Sequence, residues 1–438
     1  MAVHITSITP LEILDSQGNP TVEVEVGLSD GSVGVSSVPV GIAPGEFEAV
    51  ELRDGDRGRF LGKGVMCAID NIDKIILPAL INLEIENHEL VDKILIELDG
   101  TYNKSNLGVN AVLGVSTAVA KAVAHSKRLD LFEYLKSDDI APAIPTPIIT
   151  LISGGILADS GLDVQGIMIV PNPADCGSCR FGESVRMASE IFGFLGMLLQ
   201  EDGYGTGVSC VGGYVPRIES TELAFDFILK AINKAGYTAG EDVSLAIDVA
   251  ASELLAPVGE NETILYHLSN SSRDIVSAEE LILLYERWCK NYPIISIEDG
   301  LGDEDWNGWR ELTSRLGSAS RQDGVSHTGG ASPIQIVGDD LFATNLDRLQ
   351  VGIDRKVANT VSAKLSHVGT LLEVFRFLNL AKKNNYRTLL AGRSAETCDT
   401  ILADICVAAA VDQVRFGAIC RGENAAKFNR LLKLEKKL

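Results

Sequence analysis

Four short apolar runs in the later part of the chain each lead into a charged residue. Ser244-Leu245-Ala246-Ile247 leads into Asp248, and Ile294-Ile295-Ser296-Ile297 into Glu298. Ile334-Gln335-Ile336-Val337 is followed by Asp339, and Thr360-Val361-Ser362-Ala363 by Lys364. Arg393 comes soon after a fifth run, Thr388-Leu389-Leu390. Runs of this length suit buried strands. In a parallel barrel their C-terminal ends open onto one face, where active sites sit. Three converging carboxylates repel one another, and a hard divalent cation with oxygen ligands relieves that repulsion. Magnesium is preferred over zinc because no His or Cys shares these positions. A single acid at a strand end often only caps the next helix, but three on consecutive units point to a site. Lys364 either balances these charges or acts as a base. A cation beside it would disfavour its charged form and suit it to removing a proton alpha to a carboxylate. Arg393 either clamps a carboxylate or phosphate or makes a salt bridge at the barrel rim.

The elements that must position these groups can be read from the pattern between them. Helical stretches at about 182–201, 220–235, 278–291 and 369–383 alternate with the apolar runs, which include Ile167-Met168-Ile169-Val170. Alternating β and α units imply a largely parallel sheet. Six or more units over about 300 residues favour a closed (β/α)8 barrel of the TIM type over an open sheet. No GxGxxG opens a helix, which weakens a dinucleotide-binding alternative. The stretch from Gly317 to Ser332 is rich in Gly, Ser and polar residues and reads as a surface loop. Before the barrel, Thr21 to Leu28 alternates at period two between the turns Ser16-Gln17-Gly18-Asn19-Pro20 and Asp30-Gly31, with a further strand from Val33 to Val40. Helices are expected at about 60–83 and about 108–127, the second apolar on most sides and hence buried. This gives an N-terminal α+β domain over 1–136 and a barrel domain over 137–438.

Composition narrows the partners. The 438 residues are 46% hydrophobic and 22% charged, with net charge −22, which disfavours binding to nucleic acid or anionic membrane surfaces. An anionic ligand must therefore be drawn in by local cations. The N-terminus lacks a secretory pattern, and no stretch has the roughly 18 apolar residues of a membrane span. Eight scattered cysteines read as buried thiols of a reducing compartment. The lone Cys176-Gly177-Ser178-Cys179 reads as a surface loop.

Several motifs, in order, resemble those of the enolase (phosphopyruvate hydratase) family over nearly the whole chain. They are Glu12-Ile13-Leu14-Asp15-Ser16-Gln17-Gly18-Asn19-Pro20-Thr21-Val22-Glu23, Glu51-Leu52-Arg53-Asp54-Gly55-Asp56 and Leu98-Asp99-Gly100-Thr101 in the first part. Ala246-Ile247-Asp248-Val249-Ala250, Ser296-Ile297-Glu298-Asp299-Gly300-Leu301 and Val337-Gly338-Asp339-Asp340-Leu341 come in the second. The resemblance implies a magnesium-dependent, cytoplasmic, usually dimeric glycolytic lyase that interconverts 2-phosphoglycerate and phosphoenolpyruvate. Lysine with magnesium is the known arrangement in sites of that superfamily. By resemblance Asp248, Glu298 and Asp339 match the Mg²⁺ ligands and Lys364 the catalytic base. Gln165, Arg393, Ser394 and Arg415 match positions that contact the phosphorylated acid.

The departures are concentrated. Val211 stands where the family has the glutamate that helps expel hydroxide, and Gly166 stands where a second active-site glutamate is found. Gly392 and Leu157 each replace a histidine. Val40, in the loop Val40-Gly41-Ile42-Ala43-Pro44-Gly45, replaces a serine that helps bind a second magnesium. Arg415 replaces an active-site lysine, which keeps the charge and changes its geometry. Losing a general acid typically costs about 10²–10⁴ in rate, and losing a charge stabiliser about 10²–10³. These losses fall on one step, so a strongly impaired dehydratase is expected. Three readings are open: a silent family member serving as a binding partner, with a homodimer or a mixed dimer with a paralogue; altered alpha-proton chemistry on another carboxylic acid; and an active enolase in which Glu46, Cys210 or Glu396 compensates.

Overall fold

A computed structural model describes residues 2–42, 45–173, 180–256, 264–268, 274–318 and 333–438. The Cys176–Cys179 motif and nearly all of the Gly317–Ser332 stretch lie outside the described residues. The chain begins with an antiparallel meander, β1 (Ile5–Leu14), β2 (Pro20–Leu28) and β3 (Val33–Ser37). The turn after β1 needs Gly18, whose φ is 75°, a left-handed conformation that glycine adopts without strain. Against this sheet lies the Val109–Ser126 helix, buried through Ala124 at every position except Lys121. Its apolar faces thus meet the sheet on one side and other helices on the other. A His88–Asp99 helix, not evident in the sequence, starts at an Asn87 side chain that accepts from Leu90 N. The expected 60–83 helix is a single turn at Phe60–Gly62 and then helical segments from Met66 to Leu80.

Eight strands then close a barrel. In chain order they are β4 (Thr146–Ser153), β5 (Gly166–Pro171), β6 (Val243–Asp248), β9 (Ile294–Glu298), β10 (Gln335–Gly338), β11 (Thr360–Ala363), β12 (Arg387–Ala391) and β13 (Gln413–Arg415). The short pair β7 (Leu265–His267) and β8 (Ile275–Ser277) lies outside it. Ile148, Met168, Val170, Ala246, Val337 and Leu389 form a small apolar cluster separate from the main core, as expected of inward-pointing side chains of a barrel. Helices after β5 (Arg180–Glu201 and Thr221–Lys234), before β9 (Ala278–Asn291) and after β11 (Leu371–Lys383) agree with the expected stretches to within two residues. Capping explains several starts: Ser277 forms a capping box with Glu280, and Ser220 accepts from Leu223 N.

One strand departs from a uniformly parallel barrel. β5 runs antiparallel to both β4 and β6. The reversal arises because β4 and β5 are joined by a loop with one helical turn at Gly155–Leu157 instead of a crossover helix, and a parallel return would need such a crossover. It brings the start of β5, with Gln165 just before it, to the same barrel mouth as the ends of the other strands. The cysteines also differ from expectation. Cys289 and Cys406 are buried, Cys210 and Cys420 are half-buried, and Cys67 and Cys398 are exposed.

Candidate active site at the barrel mouth

Register places the acids side by side. Asp248 pairs with Glu298 across β6 and β9, and Glu298 with Val337 across β9 and β10, two residues before Asp339. Gly166 of the reversed β5 pairs with Asp248, and the Gln165 amide donates to Asp248 Oδ2 at 3.1 Å. Asp248, Glu298 and Asp339 are 4%, 2% and 3% exposed, so their charges must be met by neighbours. Lys364 Nζ lies 2.6 Å from Asp339 Oδ2. The Arg415 guanidinium supplies the rest. Its Nη1 donates to Asp248 Oδ2 at 2.7 Å, and its Nη2 donates to Glu298 Oε1 at 2.6 Å and Asp339 Oδ2 at 3.2 Å.

These contacts set the proton affinities. Burial pushes Asp339 up, but Lys364 and Arg415 outweigh it and hold Asp339 well below the usual carboxylate range. Burial drives Glu298 up, and the Asp248 and Asp339 carboxylates add to that against Arg415. For Lys364 burial favours the neutral amine, yet Asp339 prevails and the ammonium is stabilised. The direction is set by a carboxylate at ion-pair distance.

Arg393 is engaged from a second side. Its Nη2 donates to Glu48 Oε2 at 2.7 Å and its Nη1 to His367 Nε2 at 2.6 Å. Burial lowers His367 to about 3, so the ring is neutral. Since Nε2 accepts from Arg393, the ring proton sits on Nδ1 and is donated to Thr344 Oγ1 at 3.1 Å. Burial works against charge on Glu48, but the Arg393 and Lys364 cations hold it at about 2. Arg393 Nε is buried without a partner, which leaves one donor for an incoming acceptor. Gly41 packs so closely that a Cβ there would stand 1.7 Å from Arg393 Nη2. Ser394 Oγ accepts from Ile42 N at 2.9 Å, and Val40 and Ala395 exchange both backbone hydrogen bonds. The segment over the site is thus tied to the barrel by its backbone.

Together these groups line a cavity of about 120 Å³ that contains Gln165, Asp248, Lys364, Arg393, Ser394 and Arg415. Glu298 and Asp339 reach it through Arg415. Leu157, Gly166, Val211 and Gly392 all line the same cavity. The acids suggested as compensating groups do not: Glu46 is exposed, and Glu396 is committed to Lys427 at 2.9 Å and to the Arg393 amide. Cys210 is absent from the lining too. Sequence reasoning missed Glu48, His367 and Asp340. Glu48 lies three residues before the Glu51–Asp56 motif and His367 three after Lys364, but neither spacing tells that both meet Arg393. The doubled acids Glu298-Asp299 and Asp339-Asp340 were a visible signal that more carboxylates than three gather here.

The donors are all oxygens, which fits a hard divalent cation by type. Asp339 Oδ1 is buried without a partner, and one oxygen each from Asp299, Asp339 and Asp340 lie within 4.8 Å of one another. Both are features that a cation satisfies. The middle of the Asp248–Glu298–Asp339 triad already holds a guanidinium.

A closed α/β barrel capped by an α+β unit is a fold of the enolase type, and here carboxylates, a lysine and arginines stand at its strand ends. The chain belongs to the enolase family. Residues 5–135 match the family model described as Enolase, N-terminal domain, and residues 141–438 match Enolase, C-terminal TIM barrel domain. Among the described residues no helix is long and apolar enough to cross a membrane.

Proposed function

We propose that this enolase-family protein binds a small phosphorylated carboxylic acid at the barrel mouth and dehydrates 2-phosphoglycerate poorly or not at all. The observation that carries this is the makeup of the cavity lining. Leu157, Gly166, Val211 and Gly392 face the cavity that holds Lys364, and none of these side chains can give a proton to departing hydroxide. Removing such a group typically costs about 10²–10⁴ in rate. Asp248, Glu298 and Asp339 would hold magnesium, which when bound polarises a ligand carboxylate. Arg393, Ser394 and Gln165 would orient the acid, and Arg415 would balance its charge. Lys364 would take the alpha proton only after losing its own, which Asp339 opposes. In this reading residues 1–136 cap the barrel of 137–438 and send Glu48 into the pocket. A cytoplasmic dimer, with a second copy or an active paralogue, is the assembly that family membership suggests.

The test is phosphoenolpyruvate formation from 2-phosphoglycerate in saturating magnesium, monitored by ultraviolet absorbance, with exchange of the alpha proton measured in D₂O. Exchange without dehydration fits a working Lys364 and a missing acid. Turnover at the median enzyme rate, about 10 s⁻¹, would overturn the reading. Asp340 and Glu253 are the remaining acids in the lining outside an ion pair described above, so D340N and E253Q would then locate the donor.

A further inference from the structure

Arg415 ends β13, which neighbours β12 and β4 in the barrel, whereas Asp248, Glu298 and Asp339 belong to β6, β9 and the end of β10 on the far side. The side chain therefore crosses the mouth to reach them. Its two terminal nitrogens contact one oxygen of each acid within 3.2 Å. The guanidinium thus occupies the point on which the three carboxylates converge. Two features make this arrangement durable. A guanidinium keeps its charge at any pH a protein survives, so it cannot leave by losing a proton. Its planar fork also spreads its donors over two terminal nitrogens, which here meet three acceptors at once.

Counted over the triad and its two cations alone, the charges are nearly balanced without any added ion. The three acids carry three formal negative charges, and Arg415 with Lys364 carries two positive ones, all in ion-pair contact. A divalent cation entering the triad would have to push out a buried cation that is already bonded to every ligand. We propose that Arg415 is a resident counter-cation that competes with divalent metal for Asp248, Glu298 and Asp339, so that the fold of this site does not depend on magnesium and metal enters only when the guanidinium leaves. This holds whether or not water elimination survives, because it concerns occupancy of the triad and not turnover.

The experiment uses the full chain stripped with EDTA at neutral pH. Magnesium chloride is titrated by calorimetry into wild type, R415M and R415K, and the melting temperature of each is read with and without magnesium. Magnesium should bind R415M tighter than wild type by about tenfold or more, a usual size for coupling between occupants, with R415K in between. The wild-type melting temperature should not move with magnesium, while that of R415M should rise. If R415M folds only with magnesium present, that supports the proposal; if it does not fold at all, R415K against wild type decides. Equal magnesium affinity in wild type and R415K overturns it, as does a wild-type melting temperature that rises with magnesium as much as the variant's. Metal held by Asp299, Asp339 and Asp340 with Arg415 in place would give that same overturning result.

Discussion

At the scale of single residues, the pocket is governed by which cation each buried acid finds. Glu48 and Arg393 are 5% and 6% exposed in their side chains and lie 2.7 Å apart. Removing one partner of such a pair strands the other charge, at a cost of about 3–5 kcal/mol. Glu48→Ala should therefore lower stability by that amount, read as a fall in urea midpoint. An unchanged midpoint would mean that His367 alone satisfies Arg393. His367 makes a second prediction, about pH. Its folded pKa is about 3, below the ordinary 6.5. Between those values the unfolded chain binds more protons, so this residue's contribution is fully present above about 6.5 and is lost as pH falls towards about 3. His367→Gln keeps an acceptor for Arg393 without titrating, so unfolding free energy measured against pH should fall less steeply over that window. Equal slopes in the two proteins would refute the assignment.

At the scale of elements, one carboxylate ties the cap to the barrel. Asp399 Oδ2 accepts from Ser36 Oγ at 2.8 Å and Ser37 N at 2.9 Å, at the end of β3. Its Oδ1 accepts from Ile401 N at 2.9 Å, at the start of the Ile401–Ala408 helix. Both oxygens accept from Lys121 of the Val109–Ser126 helix, at 2.7 and 2.6 Å. Burial would raise this carboxyl, but Lys121 and these amides hold it below its ordinary value. Asp399→Ala leaves an ammonium, a hydroxyl and two amides without this partner. A loss of about 3–5 kcal/mol is expected, visible in denaturant unfolding. Asp399→Asn should lose less, since it keeps an acceptor; if the two cost the same, charge and not hydrogen bonding is what matters.

At the scale of the whole molecule, the cap and barrel share buried polar contacts well apart from one another. Lys104 meets Glu373 at 2.8 Å, Asp92 accepts from Leu372 N at 2.9 Å, and the Glu48, Asp399 and Val40 contacts lie elsewhere along the seam. Units joined by small wet interfaces move and melt separately, but a seam holding buried charges does not open cheaply. Calorimetry of the full chain should show one cooperative transition, and residues 137–438 expressed alone should melt at a lower temperature or fail to stay soluble. Two resolved transitions in the full chain would count against this coupling.

The amino-acid sequence by itself carried the barrel, its main helices, and the placement of Asp248, Glu298, Asp339 and Lys364 at strand ends. Those features come from local period and from the charged residue at the end of each apolar run, so they need no knowledge of distant partners. The family motifs fixed the rest of the class. Tertiary structure alone decided the direction of β5, because strand pairing depends on where a short loop sends the chain. It also decided that Arg393 is held by Glu48, 345 residues earlier, and that Arg415 reaches Asp248, 167 residues earlier. Reach and angle across a closed barrel are properties of three dimensions. The sequence placed three acids and a cation in one protein, and only the fold put the guanidinium of Arg415 among them.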